Sequence, residues 1–398
     1  MDREALLQRA ARLEAYVLQD PQNLDLRRDL ISSYHRAGEQ EKARHALLEA
    51  QRLFGVSPDM LNMSGHIALA RGDWGEAAAA FKAITSNHDA PSEAHFNLGF
   101  ALLAQGLAED ALQALDAAVA ANPSNSRFQQ IRAEALSVLG NNVEALNAYG
   151  LALESDERNL DAQEGLAFTA LDLGEMRLAH DMAKLATSTH PDSARAWALK
   201  GQVELLEMDV VAASKALRQA LDLAPDDAEI KASLAQSYLM LGLPKKVIGL
   251  YGANSGQDLS AESTVLLAWA HVLTGQLDLA SSMLRNSVDH DASDADSMAL
   301  LALCRLAGGD VSEASGLVQR ALSVDGDCFL ASVLSARIAE ASGDESAARA
   351  AMEDLLSGNA FGSLYGSNAQ ALASAGASVA MNRFRKRERR VRMNKSVH

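Results

Sequence analysis

The side chains able to do chemistry are two cysteines, ten histidines and a surplus of carboxylates. Cys304 and Cys328 show no CxxC or Cys/His spacing, so neither a disulfide framework nor a zinc site is implied. Both are expected to be buried small hydrophobes rather than nucleophiles. The histidines are scattered, with no HExxH and no pair one helical turn apart. His95 and His271 are expected to pack or line a groove, not to ligate a metal. One acidic run, Asp289, Asp291, Asp294 and Asp296, has the look of a calcium loop. Its sixth position is Asp294 where the sharp turn needs Gly, and its twelfth is Leu300 where a bidentate Glu would close the shell. A loop with helix-capping carboxylates is expected there instead. GxxxxGK[ST], GxGxxG and GxSxG are all missing, so no catalytic residue, cofactor site or metal site is assigned and no enzyme is expected.

The elements that would position any site are helices. Of 398 residues 48% are hydrophobic but only 5% aromatic, and there are only 7 prolines, which is helix-forming material. Asp2 and Glu4 stand where a secretory signal would be basic. The most apolar stretch, Val265 to Leu273, is far shorter than the roughly 20 residues of a spanning helix and includes His271. A soluble, cytoplasmic chain is expected.

Charge is unevenly placed. The net charge is −16, yet residues 383–398 carry eight Lys and Arg against Glu388 alone, a net of +7, which leaves −23 on residues 1–382. Such a body repels phosphates and anionic membrane, so nucleic acid or a membrane surface could be met only by the tail: Arg383, Arg385, Lys386, Arg387, Arg389, Arg390, Arg392 and Lys395. That tail reads either as the solvated face of a capping helix or as a basic arm for an anionic partner. With only Phe384 to stack on bases, nucleic-acid binding would be non-specific. The arm could also fold onto the acidic body of its own chain or of a second copy, giving self-association.

Internal periodicity organises the rest. Turns fall at Gly38, Gly72, Gly106, Gly140, Gly174, Met208, Gly242, Gly275, Gly309 and Gly343, spaced by 34 residues except for one step of 33. Five residues after each comes a small residue, Ala43, Ala77, Ala111, Ala145, Ala179, Ala213, Val247, Ala280, Ala314 and Ala348, where two helices can cross closely. Four further on stands a filler in most repeats, among them Phe81, Leu115, Tyr149, Leu217 and Tyr251. Pro21, Pro91, Pro123, Pro191 and Pro225 punctuate the ends of the second helices.

The pattern resembles the tetratricopeptide-repeat (TPR) family, whose unit reads W-x2-L-G-x2-Y, A-x3-F, P. His95, Leu98, Gly99, Leu102, Ala111, Leu115 and Pro123 give one copy; Trp197, Gly201, Ala213, Leu217 and Pro225 give another. The resemblance implies an all-α, right-handed α-solenoid of about ten helix pairs. Residues 1–20 form an N-terminal capping helix, residues 21–359 the array, and residues 360–398 a degenerate last pair with the basic tail.

It further implies that partners bind a concave face lined by each repeat's first helix. The register places polar residues there early, Arg28, Asp29, His35, Arg36, Asn62, His66, Asn97, Gln130 and Glu134. Apolar ones follow, Phe168, Leu171, Leu205, Leu206, Leu239, Met240, Val265, Leu266, Trp269, Val272, Leu300 and Leu303. Such a face suits a protein or peptide ligand, for instance an amphipathic helix. The family's clamp for chaperone C-termini is not assembled, because its positions hold Asn62, Phe96, Gln130 and Glu164. The expectation is a protein-binding scaffold or adaptor, in the style of bacterial TPR proteins of pilus, secretion or polysaccharide-export assembly. A regulatory subunit of an enzyme such as a glycosyltransferase, or an anionic-surface binder acting through the tail, are the rival readings.

Overall fold

Helix after helix is opened and closed by the same two devices. The structure, a computed structural model, describes residues 2–87, 89–252 and 259–341, and among these all regular structure is α-helical, in twenty helices. The first, α1 (Arg3–Gln19), stands alone, and nine helix pairs follow. They are α2 (Leu24–Arg36) with α3 (Gln40–Phe54), α4 (Pro58–Arg71) with α5 (Trp74–Thr85), and α6 (Ser92–Ala104) with α7 (Ala108–Ala121). Next come α8 (Ser126–Val138) with α9 (Asn142–Ser155), α10 (Leu160–Asp172) with α11 (Met176–Thr189), and α12 (Ala194–Leu206) with α13 (Val210–Leu223). The last pairs are α14 (Ala228–Met240) with α15 (Pro244–Tyr251), α16 (Ala261–Leu273) with α17 (Leu277–His290), and α18 (Ala295–Ala307) with α19 (Val311–Val324). Finally α20 (Phe329–Ala341) opens a tenth repeat. The chain divides at Met182/Ala183 into two units, each an all-α solenoid segment.

The first device is the turn within a pair. Nine of the ten anticipated turn positions lie in the described residues, and all nine have positive φ, eight at Gly and one at Met208 (φ 65°). In each, the next residue's N–H donates five residues back, as in Glu39 to the Tyr34 carbonyl and Asp209 to that of Glu204, at 2.8–3.0 Å. This closes the first helix with a Schellman motif and reverses the chain. Gly343 lies outside the described residues.

The second device opens each first helix. Asn23, Asn125, Asn159, Ser193, Asp227, Ser260 and Asp294 cap first helices by accepting from backbone N–H groups two or three residues on. Four of these inter-repeat loops are also tied from inside. Arg27, Gln129, Gln163 and Trp197, all at one repeat position, donate six residues back to the carbonyls of Pro21, Pro123, Glu157 and Pro191, at 3.0, 3.1, 2.6 and 2.8 Å.

Packing follows the small residues. Ala43, Ala77, Ala111, Ala145, Ala213, Val247, Ala280 and Ala314 are all fully buried. A Cβ on Gly99 would meet Leu115 Cγ at 2.5 Å and the Ala111 carbonyl at 3.0 Å; one on Gly201 would meet Leu217 Cγ at 2.5 Å and the Ala213 carbonyl at 3.3 Å. The repeat's small position, glycine and filler are therefore one crossing seen from both helices. At the N-terminus α1 packs on α2, where Tyr34 donates to Glu14, Arg9 pairs with Asp29 at 2.9 Å and Arg3 pairs with Glu39 at 2.9 Å.

Candidate functional site

In both units successive first helices lie against one another, α6 on α8 on α10 and α12 on α14 on α16 on α18 on α20. Within each of these two runs the first-helix side chains form the surface on which their candidate residues can meet.

In the first unit several of the polar candidates are engaged by neighbouring side chains. Arg28 donates to Asp59 at 2.8 Å, and Asp29 is taken by Arg9. His35 sits in a fixed pairing: Gln40 donates its amide N–H to the His35 carbonyl at 3.1 Å, so its amide oxygen, 2.8 Å from His35 Nδ1, accepts from that nitrogen. Arg36 and Asn62 are exposed, and Asn97, Phe168 and Leu171 half-buried. His66 stands edge-on to Phe81 with ring centroids 5.5 Å apart; burial, and then the neighbouring His35, push its pKa below the ordinary value.

Gln130 departs from the expectation of an open groove residue. It is 7% exposed, donates to Glu134 at 3.0 Å and accepts from Asn159 at 3.1 Å, and Asn159 donates also to Ser126 at 2.9 Å. Its hydrogen bonds tie α8 to the start of α10, so it holds two repeats in register. Phe96 stacks on Phe128 at 4.8 Å and Glu164 is buried, so the clamp positions carry no open carboxylate-binding pair.

In the second unit the face is apolar. Leu205, Leu206, Leu239, Val265, Leu266, Trp269, Val272 and Leu303 are half-buried. Leu205, Leu239 and Leu266 rest on one core cluster; Val265, Trp269, Val272 and Leu303 rest on another. Each side chain therefore has one flank in the core and one toward solvent. Two residues expected on this face are instead inside: Met240 is 7% exposed and Leu300 fully buried. The reason for Leu300 is that α18 is flanked by α16, α17, α19 and α20, which cover a wider arc than a single stripe.

The remaining chemistry-bearing groups are structural. His271 is buried beside Gln276, its Nδ1 2.6 Å from the amide oxygen, one residue out of register with the His35–Gln40 pair. Burial pushes the Cys304 thiol up and the Cys328 thiol to about 11, so neither is a thiolate near neutral pH. Asp294 caps α18 by accepting from Ser297 N at 3.1 Å, and Asp291 accepts from Ser293 N at 2.8 Å. Among the described residues no three metal-ligating side chains converge, and no helix is long and apolar enough to cross a membrane. The basic tail lies outside the described residues.

The ties of Gln129 and Gln163 to their loops, and the Gln130–Asn159 bond, went unread in the sequence. The available signal was Arg27, Gln129, Gln163 and Trp197 recurring at multiples of 34 residues.

A family model described as tetratricopeptide repeat matches residues 62–126 and 169–228. No curated protein matches the chain. Similar solved structures include a tetratricopeptide repeat protein from Parabacteroides merdae, 16% identical with TM-score 0.45, covering 70% of this chain and 96% of that one. PilF of Pseudomonas aeruginosa is 19% identical with TM-score 0.42, covering 50% and 92%, and MamA of Desulfovibrio magneticus is 19% identical with TM-score 0.37, covering 40% and 90%. Likenesses at these TM-scores carry no argument about what the chain does. The family model finds the same 34-residue unit whose turns, crossings and fillers the structure places in register, and residues 62–126 and 169–228 are tetratricopeptide repeats.

Proposed function

We propose that the chain is a non-catalytic scaffold that holds a protein or peptide on the first-helix face of its second unit. The TPR fold supports protein–protein interaction in general terms. The observation that carries the finer reading is the run of half-buried apolar side chains along successive first helices: Leu205 and Leu239 share one repeat position in α12 and α14, Trp269 and Leu303 share another in α16 and α18, and Leu266 lies one turn before Trp269. A fold that closes its core behind such side chains leaves their outer flanks for an apolar segment, such as an amphipathic helix. We place the protein in the cytoplasm, in assembly of a pilus, secretion or polysaccharide-export machine. The assignment to such a machine rests on the Ala-rich, degenerate style of its repeats, and the cytoplasmic one on the acidic Asp2 and Glu4 and the short Val265 to Leu273 stretch.

The test is affinity capture from the native cell with full-length parent, Leu266→Ala and Trp269→Ala baits, read by quantitative mass spectrometry. A protein retained by the parent and lost from both variants, with unchanged helicity, identifies the partner. Retention that ignores both substitutions removes this face from the reading.

A further inference from the structure

Each first helix forms a junction with the helix before it and the helix after it, and one side chain from each meets there at fixed repeat positions. At α1, α2 and α3 these are Glu14, Tyr34 and Lys42: Tyr34 donates to Glu14, and Lys42 Nζ lies 5.7 Å from the centre of the Tyr34 ring. At α17, α18 and α19 they are Arg285, Arg305 and Glu313, with the Glu313 carboxylate 3.9 Å from the first guanidinium and 3.2 Å from the second. A carboxylate answers the cations in both. At α13, α14 and α15 the same positions hold Arg218, Tyr238 and Lys246. Arg218 donates to the Tyr238 hydroxyl at 2.6 Å, and Lys246 Nζ lies 5.1 Å from the centre of the same ring. Among the described residues no carboxylate pairs with either cation, and Asp222, one turn on from Arg218, makes no ion pair with it.

The missing charge is specific to this junction. The position of Lys246 carries a carboxylate in α5, α7, α9 and α19, namely Glu76, Asp110, Glu144 and Glu313, where it also suits the positive end of the helix dipole. Helix α15 reverses that charge and adds Lys245, while α13 adds Lys215, three residues before Arg218 and on its face. All four cations are exposed, in a stretch, residues 183–341, that holds twenty carboxylates against twelve Lys and Arg. Four like charges drawn together without a partner repel one another, although acidic side chains abound nearby.

We propose that the α13, α14 and α15 junction docks an acidic segment of a partner protein, whose carboxylate takes the place that Glu313 fills from within the chain at α17 to α19. Arg218 and Lys246 hold that carboxylate through charge-assisted hydrogen bonds. Tyr238 orients Arg218 by accepting from it and keeps its own proton to donate. Lys215 and Lys245 take neighbouring carboxylates of the same segment. Four cations on a stretch of net charge −8 suit a few side-chain carboxylates, whereas that net charge repels an extended polyanion such as nucleic acid or an anionic membrane. None of these residues belongs to the apolar first-helix face, so the site stands or falls independently of it.

Full-length protein tests it, with fluorescein-labelled decaglutamate as probe and anisotropy at about 0.05 M salt, where charge contacts are little screened, as readout. Parent protein binds the probe, and Arg218→Glu/Lys246→Glu weakens binding about tenfold or more. Both substitutions install what equivalent junctions already carry, Glu14 and Glu313, so the fold accommodates them, and unchanged helicity confirms it. Lys184→Glu/Arg320→Glu, at exposed sites in α11 and α19, makes the same change in net charge and leaves binding within about twofold of the parent. No binding by the parent overturns the proposal, as does equal weakening by the two double variants. An oligothymidylate of equal charge that binds more tightly than decaglutamate, and through Arg218 and Lys246, overturns it in favour of nucleic acid. A mass that doubles with concentration in the parent and not in Arg218→Glu/Lys246→Glu overturns it in favour of a second copy of the chain. Partner capture through Leu266 and Trp269 is a separate readout, so failure here leaves the scaffold reading in place.

Discussion

Met208 is the one described non-glycine residue with positive φ, and it stands at a turn position that eight other repeats fill with glycine. An L-side chain there costs about 1–2 kcal/mol of backbone strain, and at 45% exposure Met208 recovers little of it by packing. Met208→Gly is therefore expected to stabilise the protein by about 1 kcal/mol, read as a raised urea midpoint; an unchanged or lowered midpoint refutes the strain. His66 gives a pH-dependent expectation on the candidate face. Its pKa is lowered in the folded chain by burial and by His35, so the unfolded chain takes up that proton first as the pH falls. The stability this supplies is present above the unfolded value near pH 6.5 and is lost as the pH falls through the lower folded value. His66→Gln is expected to flatten the loss of urea stability between pH 7.5 and pH 5, and parallel profiles would show that His66 contributes nothing to it.

The helix pair is the element in which the sequence pattern becomes energy. Ala213 is fully buried, and its carbonyl lies where a Cβ on Gly201 would come within 3.3 Å. Ala213→Glu forces a carboxylate into that crossing at a cost of several kcal/mol, and a melt matching the parent's would refute the register. Gly99→Val, at the equivalent crossing of α6 and α7, overlaps Leu115 and should cost about 1–3 kcal/mol by overpacking, measured in the same way. The pairs are opened by Asn, Ser and Asp caps and closed by αL turns, so these boundaries are local chemistry and were legible as a 34-residue beat. The loop ties of Arg27, Gln129, Gln163 and Trp197 are local too, but they use three different residue types, and a search by residue identity passes over them.

At the scale of the molecule each pair buries its apolar face chiefly against the next, so damage should stay near its source. Hydrogen exchange on Ala213→Glu is expected to show lost protection in α12 and α13 with α4 to α7 protected as in the parent; uniform loss would mean global cooperativity. Leu266 and Trp269 each have one flank in the core, so their alanine variants should cost about 1 kcal/mol each, against the roughly 2–5 kcal/mol of full core truncation. Thermal melts distinguish the two, and a cost in the upper range would assign both residues to the core. The sequence by itself determined the repeat, its turn positions and its close crossings. These depend on contacts within one 34-residue unit, where spacing along the chain fixes spacing in space. Which first-helix residues remain open was decided only by the tertiary structure. Gln130, Met240 and Leu300 hold the register positions of Asn62, Leu206 and Leu266, yet they are buried. Burial depends on how wide an arc of each helix its neighbours cover, and that arc is set by the side chains of adjacent repeats.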